Sequence, residues 1–383
     1  MKRTAIYSDA DINNLKNLGL DWAFTDEQTK ENLHSIHPYP ARFIPQIPRK
    51  ALGLWAPKGG VILDPFAGVG TTLLESQLSG RKSIGIDSNP VAALVSRTKT
   101  YPYTDEDLEY LKQLVLNLEN SLPKAKLRHD LVPDDDRFLS WFDPLVIDSV
   151  YKIKGLALNE LEPYKSFMLT ALSAIIVRVS KQDSDTRYTR VEKTELSSAD
   201  VEKIYLRRLR QSVEALANIH PKPKVDSSFI HGDARIKSSI RKGSVDLIIT
   251  SPPYLNAYDY HKYHRQRIHV IDGDPVFART TEIGGHDRFT RPKADPEIFF
   301  SDLEDCLVEW GRVLKTEGRA FILIGDAIVH GKSVMVADEM IRIAVEVGFV
   351  LEWRAIRPVA TSRKSFNSGA RMDQEHMLLI RKA

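Results

Sequence analysis

A single cysteine, Cys306, occurs among the 383 residues. One thiol cannot build a disulfide framework or a cysteine-rich zinc site within a chain. Nor does an apolar leader core follow Met1-Lys2-Arg3-Thr4, so a reducing, cytoplasmic setting is expected. Long hydrophobic runs are missing too. The longest, Phe167 to Val177, is far shorter than the roughly 18–20 apolar residues of a membrane span and runs into Arg178. The charge excess is slight, +3 with a pI near 8.7, which permits a nucleic-acid partner without arguing for one. No internal repeat or low-complexity tract is present. His261, His264 and His269 lack an acid or cysteine at metal-ligand spacing, so no metal is expected. What remains is an ordinary globular composition, 42% hydrophobic and 27% charged, sufficient for one large domain or two smaller ones. Its bases are clustered. Lys203 to Arg210 is one dense stretch, and His261 to Arg267 mixes bases with aromatics, which favours a polyanionic partner.

Val61-Ile62-Leu63 reads as a short strand, Gly70 to Leu78 as a helix and Ser83 to Asp87 as a second strand. This β-turn-α-β unit predicts a doubly wound parallel α/β sheet. Thr104, followed by acids and by Leu108, Leu111, Val115 and Leu118 on one face, starts a helix. Further helices are expected over 144–158, 163–180 and 198–218. Strands return at 228–231 and 245–250. A helix over 303–314, a strand over 319–324, a helix over 334–347 and strands over 349–356 and 377–380 complete the pattern. The last two strands have no helix between them and should pair antiparallel at a sheet edge. The chain thus divides into a polar arm (1–33), an α/β unit (34–100 and 225–383), a helical insertion (101–224) and an unassigned stretch (256–299).

Four stretches carry chemistry. In Asp64-Pro65-Phe66-Ala67-Gly68-Val69-Gly70-Thr71-Thr72, glycines after a strand allow close backbone approach to a ligand, and the helix start offers free N–H groups. The third glycine of a dinucleotide fingerprint is absent, Leu73 standing in its place, and the leading acid would repel a pyrophosphate. It suits a ligand bearing an ammonium group, such as S-adenosylmethionine. Asp87, with Ser88 and Asn89, ends the second strand 17 residues beyond Gly70 and is placed for ribose hydroxyls. Asp233-Ala234 ends the next strand and could take an adenine amino group. Finally, Val245-Asp246-Leu247-Ile248-Ile249 runs into Thr250, Ser251, Pro252, Pro253 and Tyr254, where paired prolines stiffen the turn.

The pairing of the Asp-Pro-Phe-x-Gly-x-Gly-Thr-Thr loop with Ser-Pro-Pro-Tyr resembles the S-adenosylmethionine-dependent amino-methyltransferases of DNA, over about 35–100 and 225–383. The resemblance implies a Rossmann-like class I sheet, S-adenosyl-L-methionine as cofactor, DNA as partner, and methylation of an exocyclic base amine. It also implies either a setting in bacterial defence, where a cognate restriction endonuclease would be a partner, or a solitary methylase. The serine form is similar to the N4-cytosine branch. The order, glycine loop before Ser-Pro-Pro-Tyr, is more familiar among N6-adenine enzymes. His37, Pro40, Ala41, Arg42 and Phe43 resemble the segment that packs against the cofactor's methionine end. Arg312 to Gly318 looks like the family's helix-to-strand turn, and Glu375 to Lys382 like its closing strand. An RNA base methyltransferase and a non-catalytic nucleic-acid-binding module are the competing readings.

An exocyclic amine is a poor nucleophile because its lone pair is delocalised into the ring. The Pro252 carbonyl and Ser251 hydroxyl would accept its N–H groups while a flipped base stacks on Tyr254. Methylation at carbon 5 would need a nucleophilic thiol, and Cys306, flanked by acids on a predicted helix, reads as structural. Arg178, Lys181, Arg187 and Arg190, with Tyr258 and Tyr260, are candidates for nucleic-acid contact, and target reading is expected from 101–224, 256–299 or both.

Overall fold

The computed structural model describes residues 22, 24, 31–290, 294–358 and 374–383. The expected arm over 1–33 falls outside the described residues except for Trp22, Phe24 and 31–33. Seven strands form one sheet: β1 (Val61–Asp64), β2 (Lys82–Asp87), β3 (Ser227–His231), β4 (Val245–Thr250), β5 (Leu314–Ile324), β6 (Phe349–Pro358) and β7 (Gln374–Lys382). Their spatial order is β6-β7-β5-β4-β1-β2-β3. The run from β5 to β3 is parallel, and β7 pairs antiparallel with both β5 and β6. The expected doubly wound sheet with an antiparallel edge is therefore the observed one.

Both faces are covered, as a parallel sheet requires. Strand alternation divides the core: Leu247 and Ile249 of β4 pack with Trp22, Phe321, Trp353 and the helix α1 (Gln46–Trp55), while Ile248 packs on the opposite side. That side is closed by α8 (Glu297–Val313) and α9 (Val336–Glu346). Two helices follow the first strands: α2 (Thr71–Leu78) after β1 and α3 (Pro90–Thr100) after β2. The insertion supplies α4 (Asp105–Ser121), α5 (Pro144–Leu158), α6 (Tyr164–Val179) and α7 (Ser198–Ala217). Thr104 and Asp107 cap α4 reciprocally, and Ser197 and Asp200 do the same for α7. These four helices share one apolar cluster with Leu33, Ile36 and Leu74. No described helix is long and apolar enough to cross a membrane.

Several boundaries differ from expectation. α8 begins at Glu297, not 303, because Pro296 precedes it, Asp295 accepts the Glu297 N–H at 3.1 Å, and Phe299 and Phe300 extend its buried face. Leu314 belongs to β5, not to that helix. Glu317 bends β5 at φ 61°, and the register against β4 shifts between Val245 and Leu247, so an apparent turn is an irregular strand. Gln182–Ser184 and Arg187–Arg190 form a small hairpin where a helix end and loop were expected. The unassigned 256–299 stretch folds into short helices, Tyr260–Tyr263, Arg265–Val270, Pro275–Thr280 and His286–Phe289, before α8.

Candidate active site

In this strand order the direction of winding reverses between β1 and β4. Doubly wound sheets bind ligands beyond the carboxyl ends of the strands at such a point. β1 ends on Asp64 and β4 on Thr250, and the Thr250 hydroxyl donates to Asp64 Oδ1 at 2.7 Å. The two motifs recognised in the sequence are thus fastened to each other at their roots. A cleft with about 110 Å³ of water-accessible space opens there.

The glycine loop shapes one wall. Gly68 and Gly70 both have positive φ, 48° and 72°, in the region that favours glycine. A Cβ on Gly70 would also lie 2.7 Å from Ser96 Oγ of α3, so packing excludes a side chain as firmly as the backbone does. The Gly68 N–H donates to Asp87 Oδ2 at 2.8 Å, and the Asn89 N–H to Asp87 Oδ1 at 2.9 Å. Each oxygen of Asp87 keeps further acceptor capacity toward the cleft.

The acids are poised by burial. Asp64 is pushed up from 3.8 to about 6, mainly by desolvation, against bonds from Thr250, Thr72 and the Phe66 N–H that favour its ionised form. Burial likewise raises Asp87. A carboxyl held this far from water at the cleft wall fits a cationic partner such as the ammonium of S-adenosylmethionine. Asp233 lines the cleft while both its oxygens accept from Arg235, which also reaches Asp302 at 2.7 Å.

Of the cofactor residues expected from sequence, Ala41, Arg42, Phe43, Asp64, Pro65 and Phe66 line the cleft. So do Gly68, Thr71, Asp87, Ser88, Asn89, Asp233 and Ala234, together with Ser251 and Pro253 of the catalytic motif. His37, Pro40, Gly70 and Thr72 are not among the lining residues. His37 is buried behind the wall, its Nε2 3.0 Å from Ser173 Oγ, and desolvation pulls it well below the usual histidine range.

Tyr254 is not among the lining residues. Its hydroxyl donates to Glu375 Oε1 at 2.7 Å and receives the Ser251 hydroxyl at 3.4 Å. Arg357, almost fully buried, lies 3.4 Å from Glu375 Oε2. Burial and the Glu375 charge hold the Tyr254 hydroxyl well above the usual tyrosine range, hence protonated. Glu375 is the second residue of the closing strand. Its 121-residue separation from Tyr254 left no sequence signal beyond that strand.

The outer wall is a second feature missing from the sequence reading. Tyr260, His261, Thr281, Glu282 and Ile283 line the cleft. Glu282 accepts the N–H groups of Tyr260 and His261 at 2.7 and 3.1 Å and pairs with the His261 ring. Tyr39 stacks against Tyr260 and His264, centroids 5.9 and 4.4 Å apart, and Tyr258 leans on Tyr260 at 5.6 Å. The stretch from His261 to Arg267 is therefore not a solvent-facing basic surface. His264 and Arg267 are wholly buried, Arg267 donating to the Ser173 carbonyl at 3.0 Å.

The remaining candidates disperse. Lys181 pairs with Asp143 at 2.9 Å, Arg187 with Asp183 at 3.4 Å, and Arg190 donates to the Ser140 carbonyl. Arg178 lines a separate groove. Cys306 is buried in α8, its thiol pushed well above the usual range by desolvation and then by Asp233, which leaves no nucleophilic thiolate. Among the described residues no group of three or more His, Cys, Asp or Glu is placed to hold a metal.

A family model described as DNA methylase, of the N6/N4 type, matches residues 4–96. The chain is 28% identical over 256 residues to the Type II methyltransferase M.MvaI of Kocuria varians, a match covering 60% of this chain and 55% of that relative. It is 23% identical to the Type II methyltransferase M.MjaII of Methanocaldococcus jannaschii, covering 80% of this chain and 75% of that one. The chain is thus similar to the DNA amino-methyltransferases. That likeness supports S-adenosyl-L-methionine as the cofactor. The first of these matches spans about half the length of the relative. A SAM-dependent methyltransferase of Methanosarcina mazei is 9% identical, covering 87% of this chain and 96% of that one, with a TM-score of 0.35, too low to add to what the strand order shows.

Proposed function

We propose that the protein methylates the exocyclic N4 amine of a flipped cytosine in DNA. The observation that carries this is the Ser251-Pro252-Pro253-Tyr254 loop fastened, through Thr250 and Asp64, to the mouth of the cofactor cleft. Asp64 would hold the cofactor's ammonium, with Arg42 and Phe43 at the same end, Asp87 the ribose hydroxyls, and Asp233-Ala234 the adenine edge. The bound cofactor supplies an electrophilic methyl group, and the residues of the chain manage the amine.

The polarity of the Ser251–Tyr254–Glu375 chain matters here. A carboxylate accepts only, so Tyr254 donates to Glu375, and its oxygen is left to accept the Ser251 proton. Ser251 Oγ then presents lone pairs, not hydrogen, to a base amine. With the Pro252 carbonyl it would draw the amine N–H groups out of the ring plane and free the nitrogen lone pair. As nitrogen gains a methyl group it sheds one proton. That proton passes to Ser251 Oγ while the Ser251 proton moves to Tyr254 and the Tyr254 proton to Glu375. The Tyr254 face contributes stacking of roughly 1–3 kcal/mol. Placement of this kind supplies up to ~7–11 kcal/mol of a barrier in ideal cases.

A second reading, N6 of adenine, is favoured by the glycine loop preceding Ser-Pro-Pro-Tyr. The relatives' designation as Type II methyltransferases supports a place beside a cognate restriction endonuclease, and DNA as the partner. Ser251→Ala and Tyr254→Ala are expected to lose turnover while keeping the rise in melting temperature that S-adenosylmethionine produces, about 2.7 kcal/mol of stabilisation at a hundredfold excess over Kd. Near-normal rates in both variants would remove the proposed site. No cofactor-dependent rise in the unsubstituted protein would instead point to a binding module.

A further inference from the structure

A second groove lies between the end of α6, the 182–190 hairpin and α7. It is lined by Pro38, Arg178, Lys193, Arg207, Arg208 and Gln211, and also by Asp183 and Asp185. Both acids are already engaged, Asp183 by Arg187 at 3.4 Å and Asp185 by the buried Arg267. Arg178 and Arg207 are exposed and have no ion-pair partner among the described residues. Arg178 also stands close enough to the half-buried Arg208 to repel it: after desolvation, the Arg178 charge is the chief influence lowering Arg208. Like charges gathered in a concave, partly desolvated place cost free energy, and an anion occupying the groove relieves that cost.

The groove and the cofactor cleft are linked through neighbouring residues. Pro38 touches the groove and Tyr39 the cleft. Tyr39 stacks on His264, His264 Nδ1 lies 3.2 Å from Arg267, and Arg267 pairs with Asp185, which lines the groove. An extended polyanion whose base enters the cleft would carry its neighbouring backbone past such a place. Guanidinium forks match phosphate oxygens in geometry as well as charge.

Resting on the reading of the protein as a DNA enzyme, we propose that the groove formed by Arg178, Arg207 and Arg208 binds backbone phosphates of the DNA strand that delivers the target base. It positions the duplex and carries no sequence information.

The test is the double variant R178A/R207A, both exposed positions, with fluorescence anisotropy of a short duplex measured over a range of salt concentrations. Loss of two phosphate contacts should lower the slope of log K against log salt by ~1.8 and weaken binding at least tenfold near 0.1 M salt. Affinity for S-adenosylhomocysteine should be unchanged. An unaltered slope in a variant that still binds cofactor, beside an unsubstituted protein that binds and methylates DNA, overturns the groove alone. Absence of DNA binding by the unsubstituted protein overturns both the groove and the reading it rests on. Thermal stabilisation by inorganic phosphate that the variant loses, with DNA affinity intact, assigns the groove to a small free anion and overturns the proposal.

Discussion

Glu375→Gln should slow single-turnover methyl transfer roughly 100-fold, the lower end of what a positioned proton acceptor contributes. Cofactor affinity should stay within twofold. Glutamine keeps an oxygen for the Tyr254 hydroxyl, 2.7 Å away, so the ring need not move. What it removes is the negative charge and the ability to take a proton. The Ser251 oxygen then loses the polarisation that reaches it through Tyr254, because hydrogen bonds in a chain strengthen one another and weaken together. Glu375 acts through other groups and is a positioning residue, so rate alone does not define its role. The solvent isotope effect on the transfer step must fall. A rate within threefold of the unsubstituted protein, or a slow variant whose solvent isotope effect is unchanged, would show that Glu375 only braces the tyrosine.

Asp64→Asn should move stability and cofactor affinity in opposite directions. The sign follows from the shift: Asp64 titrates near 3.8 when unfolded and at about 6 in the fold. The folded protein therefore retains a proton that the unfolded chain releases between those values. The stabilising effect of the neutral group is present below the unfolded value and is lost as pH rises through about 6, a difference of ~3 kcal/mol. At pH 8 asparagine avoids that cost, so the cofactor-free variant should melt a few degrees higher than the parent. Cofactor affinity should drop at least ~30-fold, since a buried charge loses its partner at a cost of ~2–5 kcal/mol. In the parent, affinity should be level above about pH 6 and weaken by up to tenfold per unit below it, where binding a cation must first expel the Asp64 proton. Calorimetry across pH 5 to 8 reads both limbs. A variant less stable than the parent and still binding cofactor normally would contradict the role given to Asp64.

Local chemistry was what the sequence made legible. Strands ending on Asp64, Asp87 and Asp233, the Thr104 cap and the stiff turn after Thr250 each announce themselves within a few residues. So do the parallel sheet and its antiparallel edge, once βα alternation and an unbridged final pair are seen. α3 went unread although Asn89-Pro90 is a cap signal, because a helix buried on most sides shows no apolar stripe. The outer wall was invisible for a related reason: short helices pinned by Glu282 and Asp259 have no periodicity to detect. Pairings across the fold were beyond reach. Nothing near Lys181 reveals that Asp143 neutralises it, nothing near Arg267 that it is interior, and nothing near Tyr254 that its partner is Glu375.

The central claim is the chemistry performed at Ser251 and Tyr254. Incubating the protein with mixed-sequence DNA and methyl-labelled S-adenosylmethionine, digesting to nucleosides and identifying the labelled species by mass spectrometry tests it directly. The expected product is N4-methylcytosine, lost in Ser251→Ala. Label in N6-methyladenine would overturn the choice of base, and label confined to RNA, or found at carbon 5 of cytosine, would contradict the account of the site.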